Sequence, residues 1–139
     1  MPDHPTLMHT VLDAVDVRGL AEFYRELLGL HYRPGAEPPS DGSEDDVDWI
    51  VLLDSTATRV LAFQRVPSLP RSTWPGPGVP QQLHLDLAVP TLAELDRHRA
   101  RAEELGATLL LDRRSDEEEP LFVLADPAGH PFCVMVSAG

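Results

Sequence analysis

The stretch HLDLAVPTLAELDRHRARAEELG, residues 84–106, decides the fold, because its pattern of a strand followed by a helix occurs twice in the chain. Its first part, through Val89, is apolar and ends at a proline, which is typical of a β-strand. Thr91 and Glu94 match the capping box that begins a helix. Gly106 is suited to end that helix, since glycine readily adopts the left-handed conformation.

The earlier stretch HTVLDAVDVRGLAEFYRELLG, residues 9–29, repeats this pattern in register. Asp16 takes the place of Thr91 as the helix cap, and it follows His9 by the same seven residues that separate Thr91 from His84. Each helix is followed by three further strand candidates, among them DWIVLLDS and TRVLAFQRV in the first half and PLFVLAD and HPFCVMV in the second. Internal repetition of this kind predicts an α+β fold of two tandem βαβββ modules.

The 139 residues suit a single domain, which the repeat divides into module one, residues 6–66, and module two, residues 83–138. Residues 67–82 between the modules are rich in proline and glycine, so we expect neither a regular helix nor a central strand there. Trp74 in this linker is a large apolar residue without a periodic partner. It packs on its own domain, or it meets a ligand or a second subunit.

Composition disfavours several classes of partner. The formal net charge of −12 disfavours nucleic acids and anionic membrane surfaces, whereas it attracts cations over a long range. The one cysteine, Cys133, cannot form an internal disulfide, which indicates a reducing compartment. Residues 1–7, MPDHPTL, lack the basic and apolar regions of a signal peptide, and no apolar run approaches about 20 residues, so we expect a cytoplasmic protein without a membrane span.

The doubled unit, together with FVLADPAGHPFCVMV at residues 122–136, resembles the vicinal oxygen chelate superfamily over residues 7–137. That superfamily includes glyoxalases, extradiol dioxygenases, fosfomycin-type resistance enzymes and bleomycin-binding proteins, and the chain is most similar to its glyoxalase-like actinobacterial type. The resemblance implies a curved, concave mixed sheet with helices outside. It also implies a homodimer, for which Trp74 and the apolar residues of WIVLL, residues 49–53, could supply an interface.

The resemblance further implies where a metal would be bound. Metal-dependent relatives use a histidine at the start of each module and a glutamate on each module's last strand. His9 and His84 match the histidine positions, but Ala62 and Cys133 stand where the glutamates would be. The loss of both glutamates favours a pocket with no metal or other cofactor. If a divalent metal is bound, His9, His84 and Cys133 form a set of ligands that zinc accepts.

Strand alternation predicts which side chains share the concave face. Residues two apart on a strand point the same way, so Asp86 accompanies His84, Asp13 accompanies His9, and Gln64 accompanies Ala62. Apolar and aromatic walls complete the pocket that we expect. The predicted ligand-binding residues are His9, Asp13, Trp49, Phe63, Gln64, His84, Asp86, Phe122, Cys133 and Met135.

Two functions from different classes fit this pocket. The first is metal-free binding of a small molecule, a cationic or amphipathic natural product or drug, as in the sequestering members of the superfamily. The alternative is a lyase, isomerase or hydrolase in which His9, His84 and Asp86 transfer protons, or in which the zinc acts. A third alternative is a vestigial pocket in an interaction module.

Overall fold

The computed structural model describes residues 3–137, and the chain divides into two compact units between Ser68 and Leu69. Each unit contains one helix and one four-stranded mixed sheet, in the order strand, helix, strand, strand, strand. The predicted α+β fold of two βαβββ modules is therefore confirmed.

The elements of the first unit are β1 (Thr10–Ala14), α1 (Val17–Leu28), β2 (His31–Tyr32), β3 (Trp49–Leu53) and β4 (Arg59–Arg65). Its sheet has the strand order β1-β4-β3-β2, in which β1 runs parallel to β4 and the other pairs are antiparallel.

Helix α1 begins and ends as the sequence predicts. The Asp16 carboxylate accepts a hydrogen bond from the Gly19 amide at 3.0 Å, and Gly29 ends the helix with a φ of 68°. The helix packs one face on the sheet, where the Tyr24 ring stacks on Phe63 at a centroid distance of 6.0 Å. Both rings are fully buried, so this contact lies at the centre of the core of the first unit.

The elements of the second unit are β5 (Leu85–Val89), α2 (Leu92–Glu104), β6 (Thr108–Arg113), β7 (Leu121–Ala125) and β8 (Pro131–Val136). They repeat the topology of the first unit with the strand order β5-β8-β7-β6, in which β5 runs parallel to β8.

Only half of the predicted capping box forms at the start of α2. The Thr91 hydroxyl accepts a hydrogen bond from the Glu94 amide at 3.1 Å. The Glu94 carboxylate, however, pairs with Arg97 and His98 in the next turn of the helix. Leu95 and Ala102 form the buried stripe of this otherwise highly charged helix.

The linker has the irregular conformation that its composition predicts, with no helix or strand at residues 67–82. From Leu69 onward it belongs to the compact second unit. Of the WIVLL residues that were expected at a dimer interface, Ile50, Val51 and Leu52 are fully buried, whereas Trp49 is 40% exposed. Neither described helix has the length and apolar character needed to cross a membrane.

Candidate functional site

The two faces of the second sheet differ in what covers them. The register places Asp86 beside Cys133 and Cys133 beside Val123, so these three side chains share a face. Leu121 and Met135 also pair across neighbouring strands. Each is two residues from Val123 or Cys133, so this pair lies on the same face. Helix α2 covers the opposite face. We call the face that carries Asp86 and Cys133 the open face of the second unit.

A polar cluster lies on this open face. His84 Nε2 is 3.2 Å from Asp86 Oδ1, and the two side chains are 35% and 54% exposed. Cys133 is buried beside them, and one ligand atom from each of the three residues lies within 4.8 Å of the others. The sequence placed His84 and Asp86 on one face, and the structure brings Cys133 to the same place.

The environment of Cys133 keeps its thiol protonated. Burial, followed by the negative charge of Asp86 and a hydrogen bond to it, raises the pKa of Cys133 to about 11. A thiol with such a pKa is a poor nucleophile at neutral pH, since the thiolate is the reactive form. A buried, protonated thiol has the character of a small apolar side chain, and it becomes a metal ligand only when an ion displaces its proton.

Trp74 from the linker completes the cluster, and sequence reasoning did not include it among the site residues. Its indole stacks on the His84 ring at a centroid distance of 5.9 Å and an interplanar angle of 9°. It also packs against the buried side chains of Leu121, Val123 and Cys133. The one available signal was an aromatic residue, without periodic partners, in a proline-rich connector.

The first unit has its own open face, opposite α1. The register aligns Asp13 and Trp49 with Gln64, so the three share this face. The His9 ring lies 5.9 Å from the Trp49 ring, and His9 Nδ1 is buried without a hydrogen-bond partner in the described part of the chain. A surface cavity of about 630 Å³ adjoins this face, lined by Asp48, Trp49, Gln64, Arg65, Val66 and Pro67.

Two of the predicted wall residues lie elsewhere. Phe63 packs under α1 against Tyr24, and Phe122 is buried beneath the Arg99 guanidinium of α2, 4.9 Å from its ring centroid. Both are next in sequence to residues of an open face, and successive side chains on a strand point to opposite faces. Phe63 and Phe122 therefore belong to the two helix-covered cores.

The donor types of the cluster fit one class of metal. Imidazole nitrogen, carboxylate oxygen and thiolate sulfur together suit zinc, whereas magnesium and manganese prefer oxygen ligands. Three protein ligands would leave a fourth zinc position open. The cluster contains His84 and Cys133 of the expected set, with Asp86 as its third member, and His9 lies in the first unit next to Trp49.

Comparison with known proteins identifies the family. The family model described as "Glyoxalase-like domain" matches residues 9–135, which is most of the chain. No curated protein matches the chain significantly.

Solved structures share the fold at low sequence identity. A glyoxalase/dioxygenase from Nostoc punctiforme is 18% identical, with a TM-score of 0.66 over 95% of this chain and 90% of its own. A point mutant of the genomically encoded fosfomycin resistance protein from Listeria monocytogenes, in complex with Mn(II) and 1S,2S-dihydroxypropylphosphonic acid, is 16% identical, with a TM-score of 0.66 over 99% and 94%. A lactoylglutathione lyase from Agrobacterium tumefaciens is 20% identical, with a TM-score of 0.60 over 99% and 97%.

Proposed function

Because the chain belongs to the family of glyoxalase-like domains, we propose that it binds a small molecule on the open face of its second unit without a metal. The observation that carries this proposal is the stacking of Trp74 on His84, beside the Asp86 carboxylate. An apolar surface with a few convergent polar groups is the usual form of a small-molecule site. Cys133 and Met135 supply part of the apolar surface.

The ligand is cationic or amphipathic. Asp86 offers a half-exposed carboxylate, and the net charge of −12 attracts cations from a distance. The neighbouring indole attracts a cation through its π face, and the apolar residues around it accept a hydrocarbon portion. On the first unit we propose a second contact surface for small molecules, formed by His9, Asp13, Trp49 and Gln64.

A thermal-shift screen of cationic natural products and drugs tests this function. A ligand at 100 times its Kd stabilises the native state by about 2.7 kcal/mol. We expect Asp86→Asn to abolish the shift, whereas Glu117→Gln, which removes one exposed acid elsewhere in the same unit, retains it. An unchanged shift in Asp86→Asn would remove this face from the binding site.

A second candidate function is favoured by the closeness of His84, Asp86 and Cys133. In this alternative the protein is a lyase, isomerase or hydrolase, and the three residues hold zinc. The ion would polarise a substrate oxygen or lower the pKa of a bound water, and His84 and Asp86 transfer protons when no metal is present.

Metal analysis separates the two candidates. Protein purified without added metal is assayed for zinc by mass spectrometry, together with the variant Cys133→Ala. The enzyme hypothesis expects one equivalent of zinc in the wild type and little in the variant. Metal-free wild type that still gives Asp86-dependent ligand shifts supports the binding protein.

Two further proposals concern the whole protein. We propose a cytoplasmic location, since one unpaired cysteine fits a reducing compartment. We also propose a homodimer; within WIVLL, Ile50, Val51 and Leu52 are buried, and the exposed Trp49 is available for its interface. Sedimentation velocity of the purified protein measures the oligomeric state directly.

A further inference from the structure

The segment at residues 71–79, which we call the strap, is folded by its own hydrogen bonds. The Thr73 amide donates to the Val79 carbonyl, and the Val79 amide donates to the Thr73 hydroxyl, each at 2.8 Å. The same hydroxyl lies 2.8 Å from the Pro77 carbonyl oxygen. Gly78 has a φ of 117°, and a Cβ there would lie 3.0 Å from the Thr73 hydroxyl oxygen. The strap is thus a preformed loop.

The strap is also fixed to the turn between β7 and β8. Arg71 Nη1 donates to the Pro127 carbonyl at 2.9 Å. The stem of Arg71 lies directly on Gly129, where a Cβ would come within 2.8 Å of Arg71 Cγ. Asp126, which is fully buried, accepts hydrogen bonds from the Ala128 and His130 amides and so holds this turn in shape. The aspartate-proline-x-glycine turn therefore forms a docking point for the strap.

These contacts determine where Trp74 lies. The Trp74 amide donates to the Ser72 hydroxyl at 3.1 Å, its side chain packs against the cluster that contains Cys133, and its indole stacks on His84. A ring that is held in place before binding loses little conformational freedom when a ligand arrives, and such preorganisation strengthens binding. Two nearly parallel aromatic rings and a half-exposed carboxylate are thus arranged together ahead of any ligand.

We propose that Trp74 is the specificity-determining residue of this site, that it selects alkylated ammonium cations, and that Arg71 is the residue that positions it. This inference rests on the proposed binding function and names its ligand class. Alkylated ammonium groups are attracted to aromatic faces, and tryptophan is the strongest of these. The Asp86 carboxylate supplies the opposite charge. A neutral isostere of the same shape gains neither interaction.

The first test concerns the anchor and needs no ligand. In a Trp49→Phe background Trp74 is the remaining tryptophan, so fluorescence reports on it alone. We expect Arg71→Ala to shift the Trp74 emission to the red and to increase its quenching by acrylamide. The control Arg97→Ala, which removes an exposed arginine of the same unit, leaves both unchanged. Equal spectra for Arg71→Ala and its parent would overturn the positioning role.

The second test compares choline with its neutral carbon isostere 3,3-dimethyl-1-butanol by calorimetry. We expect the wild type to bind choline more tightly than the alcohol. Trp74→Leu should reduce the affinity for choline about 3- to 30-fold, which is the range of a cation–π interaction. Its affinity for the alcohol should fall less. Retained binding of the alcohol by Trp74→Leu shows that this variant is folded, and we expect Trp74→Phe, which keeps an aromatic face, to retain most of the preference.

The outcomes separate this inference from the function on which it rests. An unchanged choline-to-alcohol affinity ratio in Trp74→Leu overturns the role of Trp74. If the wild type binds neither probe, but other small molecules stabilise it in an Asp86-dependent way, the ligand class is wrong and the binding function stands. If no small molecule stabilises the wild type, both fail.

Discussion

Tyr32 shows how one residue of the first unit links several charged groups. Two guanidinium groups lie over its ring, with Arg18 at 5.1 Å and Arg25 at 5.8 Å from the ring centroid. Its hydroxyl donates to the Glu22 carboxylate. Burial, followed by this hydrogen bond, raises the pKa of Tyr32 to about 12. The Glu22 pKa is lowered, chiefly by its hydrogen bond from Arg25.

The raised pKa of Tyr32 predicts a loss of stability in alkali. The unfolded chain releases this proton near pH 10, while the folded chain keeps it until about pH 12, so the free energy of unfolding falls as the pH rises through that interval. Urea denaturation across the interval measures the fall. In Glu22→Gln we expect ultraviolet titration to give a lower Tyr32 pKa, and we expect the free energy of unfolding to fall less over the same pH interval. An unchanged Tyr32 titration would show that Glu22 does not hold the phenol proton.

The position of Phe63 under α1 predicts a role in stability. Phe63→Ala should lower the free energy of unfolding by about 3–5 kcal/mol, because it removes a ring from the packed core. Trp49→Ala should cost much less, since Trp49 is 40% exposed. Urea denaturation of both variants measures how much each face of this sheet contributes to the free energy of unfolding. Equal losses would mean that the open face is packed as tightly as the core.

Individual residues differ in how far the sequence could place them. His84 and Asp86 are two apart at the start of one strand, so alternation alone puts them together. The same rule separates Phe63 from Ala62 and Gln64, and applying it strictly would have kept Phe63 out of the predicted pocket. The contact of Trp74 with His84 depends on how an irregular strap folds and docks, which no periodicity encodes.

At the start of α1, the helix propensity of residue 19 and the capping of the helix by Asp16 have opposite effects on stability. Gly19 lies inside the helix, where alanine is normally more stable by about 1 kcal/mol. A Cβ at this position, however, would lie 2.3 Å from Asp16 Oδ2, the carboxylate that caps the helix. The alanine variant therefore forces the cap aside, and loss of a cap costs about 0.5–2 kcal/mol.

A double-mutant cycle tests this conflict. In an Asp16→Ala background we expect Gly19→Ala to stabilise the protein by about 1 kcal/mol, because no cap remains to be displaced. In the wild type the same change should give little gain or a loss. Thermal and urea unfolding of the four proteins measure the coupling. Additive effects would show that the Asp16 carboxylate tolerates the methyl group by rotating.

Helix boundaries followed from the sequence because their signals are local. Asp16, Gly29 and Thr91 act at the positions where their chemistry predicts them. The reciprocal half of the second capping box did not form, since Arg97 lies one turn on and offers the Glu94 carboxylate a charged donor at 2.6 Å. Strand ends are set by pairing with distant strands, so β1 and β5 begin one residue after His9 and His84.

The whole chain repeats one module, and this could be predicted because each half carries its own complete set of signals. Both sheets place the first strand of the module parallel beside the last, and the third and then the second strand follow. The ligand does not follow from the repeat, because chemistry lies in side chains that differ between the halves. His9 faces Trp49 in the first unit, whereas His84 faces Trp74 and Asp86 in the second.

The net charge of −12 predicts how salt acts on the folded protein. Many of the acids lie in two exposed loops, residues 37–48 and 114–120, and compaction brings like charges closer together. Exposed ion pairs such as that of Arg114 with Asp96, at 2.6 Å, contribute little against this repulsion. Salt shortens the screening length from about 30 Å at 0.01 M to about 8 Å at 0.15 M, so the repulsion weakens over this range.

We therefore expect Tm to rise between these two salt concentrations. The double variant Glu117→Gln and Glu118→Gln removes two acids from the second loop, so it should have a higher Tm than the wild type in low salt and a smaller rise with added salt. Scanning calorimetry in sodium chloride and in choline chloride compares screening with specific binding, because screening acts equally in both salts.

A Tm that falls with sodium chloride would mean that the local ion pairs outweigh the net repulsion. A rise confined to choline chloride would instead point to the site beside Trp74.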